Sequence, residues 1–138
     1  MRVWLLTILL LLPMMGATSI AESEYVMPLK LKVGVKPRGL VPEMNLGIQV
    51  VCSIFEHYKY DCVITSMHDG VHGPNSLHSR DGLCRAVDFR TKHVSSTTKD
   101  LLLGEIRDAL TTDYDVIFEH SGEANEHLHL EYDQKVQI

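Results

Sequence analysis

The sequence predicts an α+β domain in which a mostly antiparallel sheet has helices packed on one face. Two segments carry apolar residues at helical spacing, and five others show the alternation or the short β-rich runs of strands. Their order is strand, helix, strand, strand, helix, strand, strand. Runs of neighbouring strands with only two helices favour this class over a strictly alternating parallel fold.

The first half of the chain supplies two strands and one helix. Residues 27–35 alternate apolar side chains with lysines, which predicts a half-buried strand. Pro42 stands where a first helical position is expected, and Leu46, Val50, Ile54 and Tyr58 then recur every four residues, with Val51 and Phe55 beside them. Residues 62–66 form a short β-rich run that predicts the second strand.

The second half begins with a polar loop over residues 67–82 and a strand over residues 86–89. Thr97 and Asp100 resemble a capping box, and leucine and isoleucine follow at helical spacing, so a second helix is predicted there. Residues 116–118 and 127–132 are the last two predicted strands, joined by a turn over residues 121–125.

The N-terminal residues resemble a secretory signal. A positive start is followed by an apolar run over residues 4–15 and by small side chains at Ser19 and Ala21, which predicts cleavage after Ala21. The apolar run is shorter than the roughly 20 residues that a membrane span needs, so no stable anchor is expected after cleavage. We therefore expect signal peptide 1–21, one domain over 22–138, and a periplasmic or secreted protein.

Charge and cysteine content narrow the partners and leave the disulfide pairing open. The formal net charge is -5 and no basic block is present, so nucleic acid is not expected as a partner. In an oxidising compartment one pair among Cys52, Cys62 and Cys84 could form a disulfide. Buried free thiols fit the sequence equally well, and the oligomeric state is not predicted.

Six of the eight histidines lie in or beside two polar stretches of the chain. One stretch leads towards Asp88 and the other overlaps the last predicted strand; the histidines are His68, His72, His78, His120, His127 and His129. Because His127 and His129 are two residues apart on a strand, both point to the same face of the sheet. Catalytic zinc takes three such protein ligands and leaves one position for water.

Two motifs resemble those of the D-alanyl-D-alanine carboxypeptidase family of zinc peptidases. That family includes phage L-alanyl-D-glutamate endolysins and shares the hedgehog/DD-peptidase fold. The first motif has the pattern Ser-x-His, Gly, Ala-x-Asp, and the second has the pattern Glu-x-x-His; the matching residues are Ser76, His78, Gly82, Ala86, Asp88, Glu126 and His129.

The resemblance implies that His78, Asp88 and His129 bind Zn²⁺ and that Glu126 is the general base. The implied activity is hydrolysis of peptide bonds in peptidoglycan stem peptides through a zinc-activated water, by a carboxypeptidase or an endopeptidase. The implied alternative is a zinc-containing binding module of the same fold without catalytic activity.

Two details of the motifs carry structural expectations. Nine residues separate His78 from Asp88 where the family has six, so part of 79–85 must loop out if both bind one metal ion; Asp81 is the rival ligand. Positions three apart on a strand face opposite sides, so Glu126 must precede the strand that carries His129.

Four neighbouring residues are given supporting roles. His72, His127 and Arg90 are predicted to bind substrate, and His127 is also the runner-up metal ligand. Glu131 is a candidate for orienting a ligating imidazole.

Overall fold

The computed structural model describes residues 29–135, and the predicted signal segment lies outside them. The coarse α+β prediction is confirmed. The elements are β1 (Leu29–Leu31), α1 (Pro42–His57), β2 (Cys62–Ser66), β3 (Ala86–Arg90), α2 (Ser96–Ala109), β4 (Tyr114–Glu119) and β5 (His127–Tyr132). Within residues 29–135, no helix is long and apolar enough to cross a membrane.

The five strands form one sheet in the order β1-β2-β3-β5-β4. β1 and β2 are parallel, whereas the other three pairings are antiparallel. Side chains alternate between the two faces, and one face of β3 and β5 is fully apolar, with Val87, Phe89, Leu128 and Leu130 all buried. This face meets the helices, as the 6.5 Å separation of the Phe55 and Phe89 rings shows.

Helix α1 begins at Pro42 as predicted, but its buried stripe differs from the predicted one. Leu46 is largely exposed, and the stripe that packs on the sheet comprises Met44, Gly47, Ile48, Val51, Cys52 and Phe55. A strict four-residue spacing overshoots the 3.6-residue turn by about 40° per step, whereas mixed three- and four-residue steps stay on one side. Gly47 allows the close approach, because a Cβ there would lie 3.0 Å from Leu130 and Tyr114 side-chain atoms.

The predicted capping box at the start of α2 is wrong by two residues. Ser95 is the N-cap, and its hydroxyl accepts a hydrogen bond from the Thr98 N–H at 3.2 Å. Serine and threonine both cap a free backbone N–H of the first helical turn. Ser95 does so here, and α2 therefore begins at Ser96, earlier than predicted.

A disulfide joins Cys52 of α1 to Cys62 at the start of β2, and Cys84 is a buried free thiol. The bond closes a loop with a sequence separation of 10. We expect the Cys52→Ser/Cys62→Ser double variant to lose about 2–3 kcal/mol of unfolding free energy, because a closed loop of this length restricts the unfolded chain. Urea denaturation measures this loss of unfolding free energy. Adding reductant should destabilise the wild type and leave the double variant unchanged.

Candidate metal centre

The sheet face turned away from the helices carries the polar side chains of β3 and β5. Asp88 and Arg90 alternate with buried Val87 and Phe89, so they lie on this face. The strand register pairs Asp88 with His129 and Arg90 with His127. Directly opposed residues of an antiparallel pair have neighbouring side chains. The pairing thus brings Asp88 to both histidines of β5.

His78 reaches the same place because the residues between His78 and Asp88 form a loop whose two ends are hydrogen-bonded to each other. The Arg85 N–H donates to the Leu77 carbonyl at 2.7 Å, which brings the chain back beside His78. This loop packs on Gly39, where a Cβ would come within 2.4 Å of the Gly82 carbonyl oxygen. The extra residues therefore loop out as expected. Asp81, the rival ligand, is exposed in the short 3-10 helix Arg80–Gly82, has a φ of 57° and is not part of the cluster.

His78 is buried, and its orientation is fixed by the backbone. Its Nδ1 lies 2.7 Å from the Met67 carbonyl oxygen. A carbonyl can only accept, so Nδ1 carries the hydrogen and Nε2 is turned towards Asp88 Oδ1, 3.4 Å away. Ligating histidines commonly use their second nitrogen in this way. The arrangement presents Nε2 as a donor atom for a cation.

The three predicted ligands converge at distances close to those of a zinc site. His129 Nδ1 lies 2.8 Å from Asp88 Oδ1, and one ligand atom from each of His78, Asp88 and His129 lies within 4.8 Å of the other two. Tetrahedral zinc with bonds of about 2.0–2.1 Å places its ligand atoms about 3.3 Å apart. The cluster therefore fits a metal ion of this size with little adjustment, and the set of two imidazoles and one carboxylate suits zinc.

The charges in the cluster favour cation binding. Burial alone would raise the pKa of Asp88, but the hydrogen bond to His129 and the nearby imidazoles of His78 and His127 hold it well below its usual range. Burial would lower the pKa of His129, yet its hydrogen bonds to Asp88 and Glu131 raise it to about 9. A partly buried carboxylate thus stays ionised and attracts positive charge, either as a proton on His129 or as a metal ion.

The cluster opens into a cavity of about 350 Å³, whose lining includes His72, Asn75, Glu119, His127 and Glu131. The His72 ring stacks on His78 with centroids 4.3 Å apart. His127 Nε2 lies 3.6 Å from Asp88 Oδ1 and 3.0 Å from Glu119 Oε2. His72 and His127, both predicted to bind substrate, therefore lie at the cluster.

Glu119 is a residue that sequence reasoning missed. It lies opposite His127 in the β4–β5 pairing and forms a second possible ligand set with His127 and His129. Both ligand sets include His129, so a single nitrogen of the His129 ring cannot serve both sets at once. Of the two, we prefer His78, Asp88 and His129, because His78 is buried and held by Met67, whereas Glu119 is partly exposed. Pairing the last two predicted strands as an antiparallel hairpin would have placed Glu119 opposite His127.

Glu131 contacts the opposite side of His129. Its Oε2 lies 3.2 Å from His129 Nε2, while Nδ1 of the same ring faces Asp88. A carboxylate in this position orients the ring and raises the basicity of the ligating nitrogen. This is the place that the sequence reasoning assigned to Glu131.

Glu126 precedes β5, as its spacing from His129 required, but its carboxylate is engaged away from the cluster. Thr91 Oγ1 and the Lys99 ammonium donate to Oε1, and the Gly122 N–H donates to Oε2 at 2.8 Å. The hydrogen bonds from Lys99 and Gly122, aided by Thr91, outweigh burial and lower the pKa of Glu126 to about 2. The structure therefore does not bring Glu126 to the predicted ligands.

Replacing Glu126 by Gln is expected to lower the unfolding free energy by about 2 kcal/mol at pH 7, because it leaves the partly buried Lys99 ammonium without its counter-charge. The native pKa is depressed, so this stabilisation is present above the ordinary value of 4.5 and is lost as pH falls towards 2. Urea denaturation of the metal-free protein at pH 7 and pH 3 tests it. Glu123→Gln, an exposed carboxylate in the same loop, is the control; equal effects of the two variants would contradict the prediction.

Arg90 is exposed and does not contact the ligand cluster. It lies beside His127 and lines a neighbouring cavity.

Comparison of the chain with models of protein families, with curated proteins and with solved structures finds no match. The geometry of the site, together with the motif resemblance, is therefore the basis for assigning a function.

Proposed function

We propose that the protein is an exported zinc-dependent peptidase that hydrolyses peptide bonds of peptidoglycan stem peptides. The observation that carries the proposal is the convergence of His78, Asp88 and His129 at the wall of an open cavity. Structural zinc sites are usually closed by four protein ligands, whereas catalytic sites keep an open position for water. Three ligands beside a solvent-accessible cavity match the second arrangement.

The chemistry divides between the ion and the chain. Zinc at this position would polarise a peptide carbonyl and make a bound water acidic enough to attack it. A carboxylate must then accept the proton and return it to the leaving amine. The resemblance assigns this role to Glu126, whose carboxylate is already bound by Thr91 and Lys99. We assign it to Glu119, which lines the cavity and whose carboxylate, among residues 29–135, has His127 as its one hydrogen-bonding partner.

The remaining cavity residues position the reacting groups. Glu131 holds the His129 ring, and the Met67 carbonyl holds the His78 ring. His72 covers one side of His78 by stacking and narrows the entrance. His127, which is fixed between the Asn125 carbonyl and Glu119, would contact the substrate carbonyl.

The compartment and the substrate class rest on separate observations. The predicted signal segment supports export, and the Cys52–Cys62 disulfide is compatible with an oxidising compartment. The stem-peptide substrate rests on the two motifs that resemble the carboxypeptidase family.

Metal analysis combined with hydrolysis of purified muropeptides tests the proposal. We expect about one zinc ion per mature chain, cleavage of a stem peptide, loss of activity with a chelator and recovery with zinc. A folded protein that binds no zinc would refute the metal centre. Activity that survives complete removal of metal would refute the mechanism.

A second candidate is a zinc-containing binding module without catalytic activity. The engagement of Glu126 with Lys99, Thr91 and Gly122 favours it, because the carboxylate that the resemblance makes the base is bound elsewhere. A tightly bound zinc ion together with no cleavage of muropeptides or D-amino-acid peptides would support this candidate over the peptidase.

A further inference from the structure

The metal centre depends on a peptide group outside the ligand set. The Met67 carbonyl oxygen lies 2.7 Å from His78 Nδ1 and so leaves Nε2 of the same ring free to face Asp88. If this peptide group rotated, His78 would lose its acceptor, and the ring could turn or change tautomer. The geometry of the ligand cluster therefore requires that the peptide group between Met67 and His68 be held in place.

The Asp69 carboxylate links this part of the loop after β2 to a second segment of the chain. Its Oδ1 accepts the Met67 N–H at 2.9 Å and the Lys36 N–H at 3.1 Å. The His68 N–H, which belongs to the peptide group that holds His78, donates to the Lys36 carbonyl at 3.3 Å. One carboxylate oxygen and one residue of the connection between β1 and α1 thus fix the N–H groups on both sides of Met67.

The same connection also holds the chain on the other side of His78. Gly39, three residues after Lys36, accepts the Cys84 N–H at its carbonyl at 2.8 Å. Cys84 lies at the end of the loop that begins after His78. The connection between β1 and α1 is therefore a common support for the two segments that flank this ligand, and Asp69 joins the first of them to it.

Asp69 contacts the surroundings of His78 through its backbone as well. Its carbonyl accepts a hydrogen bond from His72 Nε2, because a carbonyl cannot donate. The His72 ring stacks on the His78 ring at an interplanar angle of 3°. The conformation of Asp69 is thus coupled both to the acceptor at His78 Nδ1 and to the ring that covers one face of His78.

We propose that Asp69 is a positioning residue of the metal centre: its Oδ1 fixes the Met67 peptide groups, so that the Met67 carbonyl holds the His78 ring with Nε2 directed at the ion. The proposal rests on the proposed zinc centre and adds to it a side chain outside the ligand set. This role needs a hydrogen-bond acceptor at the position of Oδ1, whereas it does not need the negative charge of the carboxylate.

Two variants separate the position of the acceptor from its charge. Asp69→Asn removes the charge and keeps an oxygen that accepts the same hydrogen bonds, so zinc affinity should stay within about threefold of the wild type. Asp69→Glu keeps the charge and displaces the oxygen by one methylene, so zinc should bind about tenfold more weakly, as is typical when a partner of a ligating histidine is disturbed. Competition with a chromophoric chelator measures both affinities. Equal losses in the two variants, or wild-type affinity in Asp69→Glu, would overturn the proposal.

The matched control is Asp113→Glu. Asp113 lies just before β4, and its Oδ1 also accepts a backbone N–H, that of Lys135 at 3.1 Å. The same lengthening of the side chain should therefore lower stability without changing zinc affinity. If Asp113→Glu weakened zinc binding as much as Asp69→Glu, the effect would be one of general stability, and the positioning role would be wrong.

Hydrogen exchange in the metal-free protein tests the role without zinc or catalysis. By proton NMR, the His78 Nδ1 hydrogen should exchange slowly in the wild type and in Asp69→Asn, and about tenfold faster in Asp69→Glu. Rapid exchange in the wild type would overturn the proposal even if zinc were bound. Hydrolysis of muropeptides is followed in the zinc-loaded samples: the expected affinities and exchange rates without cleavage would leave the role of Asp69 standing and refute the peptidase.

Discussion

Replacing Asp88 by Asn is expected to weaken zinc binding by about a thousandfold or more. The carboxylate lies 3.4 Å from His78 Nε2 and 2.8 Å from His129 Nδ1, and it is the group that gives the cluster its negative charge. Zinc sites derive binding free energies of about 10 kcal/mol or more from three or four such ligands. Removing one ligand therefore removes a large part of the binding free energy. Competition with a chromophoric chelator measures the affinity.

The control for this variant is Asp108→Asn, which removes an exposed carboxylate from α2 without touching the cluster. Both variants should keep the circular dichroism spectrum of the wild type. If Asp88→Asn bound zinc as tightly as Asp108→Asn does, the ligand set of His78, Asp88 and His129 would be wrong. The alternative set, in which Glu119 joins His127 and His129, would then be the one to test.

Zinc binding should also release a proton at neutral pH. In the metal-free protein, the pKa of His129 is raised to about 9, so the ring holds a proton that the metal must displace. The apparent affinity is therefore expected to rise about tenfold per pH unit between pH 7 and 9 and to level off above. Calorimetry at pH 7 in Hepes and in Tris should give about one proton released per zinc ion. An affinity independent of pH over this range would contradict the raised pKa.

The elements that sequence reasoning located best are those whose pattern is local. β2 and β5 have the predicted bounds, and α1 begins at Pro42, because alternation and a proline at the first turn are read over a few residues. The start of α2 was predicted two residues too late, because Ser95 and Thr97 are both able to cap a helix. Local pattern did not decide between them.

The meeting of His78 with Asp88 and His129 was predictable from the motifs, whereas the environment of Glu126 was not. Glu126 stands three residues before His129, but its carboxylate is oriented by Lys99, which comes from α2 and is 27 residues away in the chain. No spacing within the motif contains that information. Glu119 was missed for a related reason: its relation to His127 exists only once the register of β4 and β5 is known.

Replacing Glu119 by Gln is expected to lower kcat for stem-peptide hydrolysis about a hundred- to a thousandfold while zinc remains bound. The variant removes the carboxylate that we assign to proton transfer, and general acid–base catalysis contributes effects of this size. Glu119 Oε2 contacts His127 Nε2 at 3.0 Å and is not one of the three preferred ligands, so the metal content should not change. Steady-state kinetics at saturating zinc, with metal analysis of the same samples, measure both quantities.

The matched variant is Glu126→Gln, for which we expect kcat within a few-fold of the wild type at a temperature where the protein stays folded. Its carboxylate joins Thr91, Lys99 and the Gly122 N–H, so its replacement should act on stability. The opposite result, a large loss of kcat in Glu126→Gln and a small one in Glu119→Gln with zinc retained in both, would return the base to Glu126. In that event the Lys99 contact would have to open during turnover, because a carboxylate bound by an ammonium and with a pKa of about 2 is a weak base.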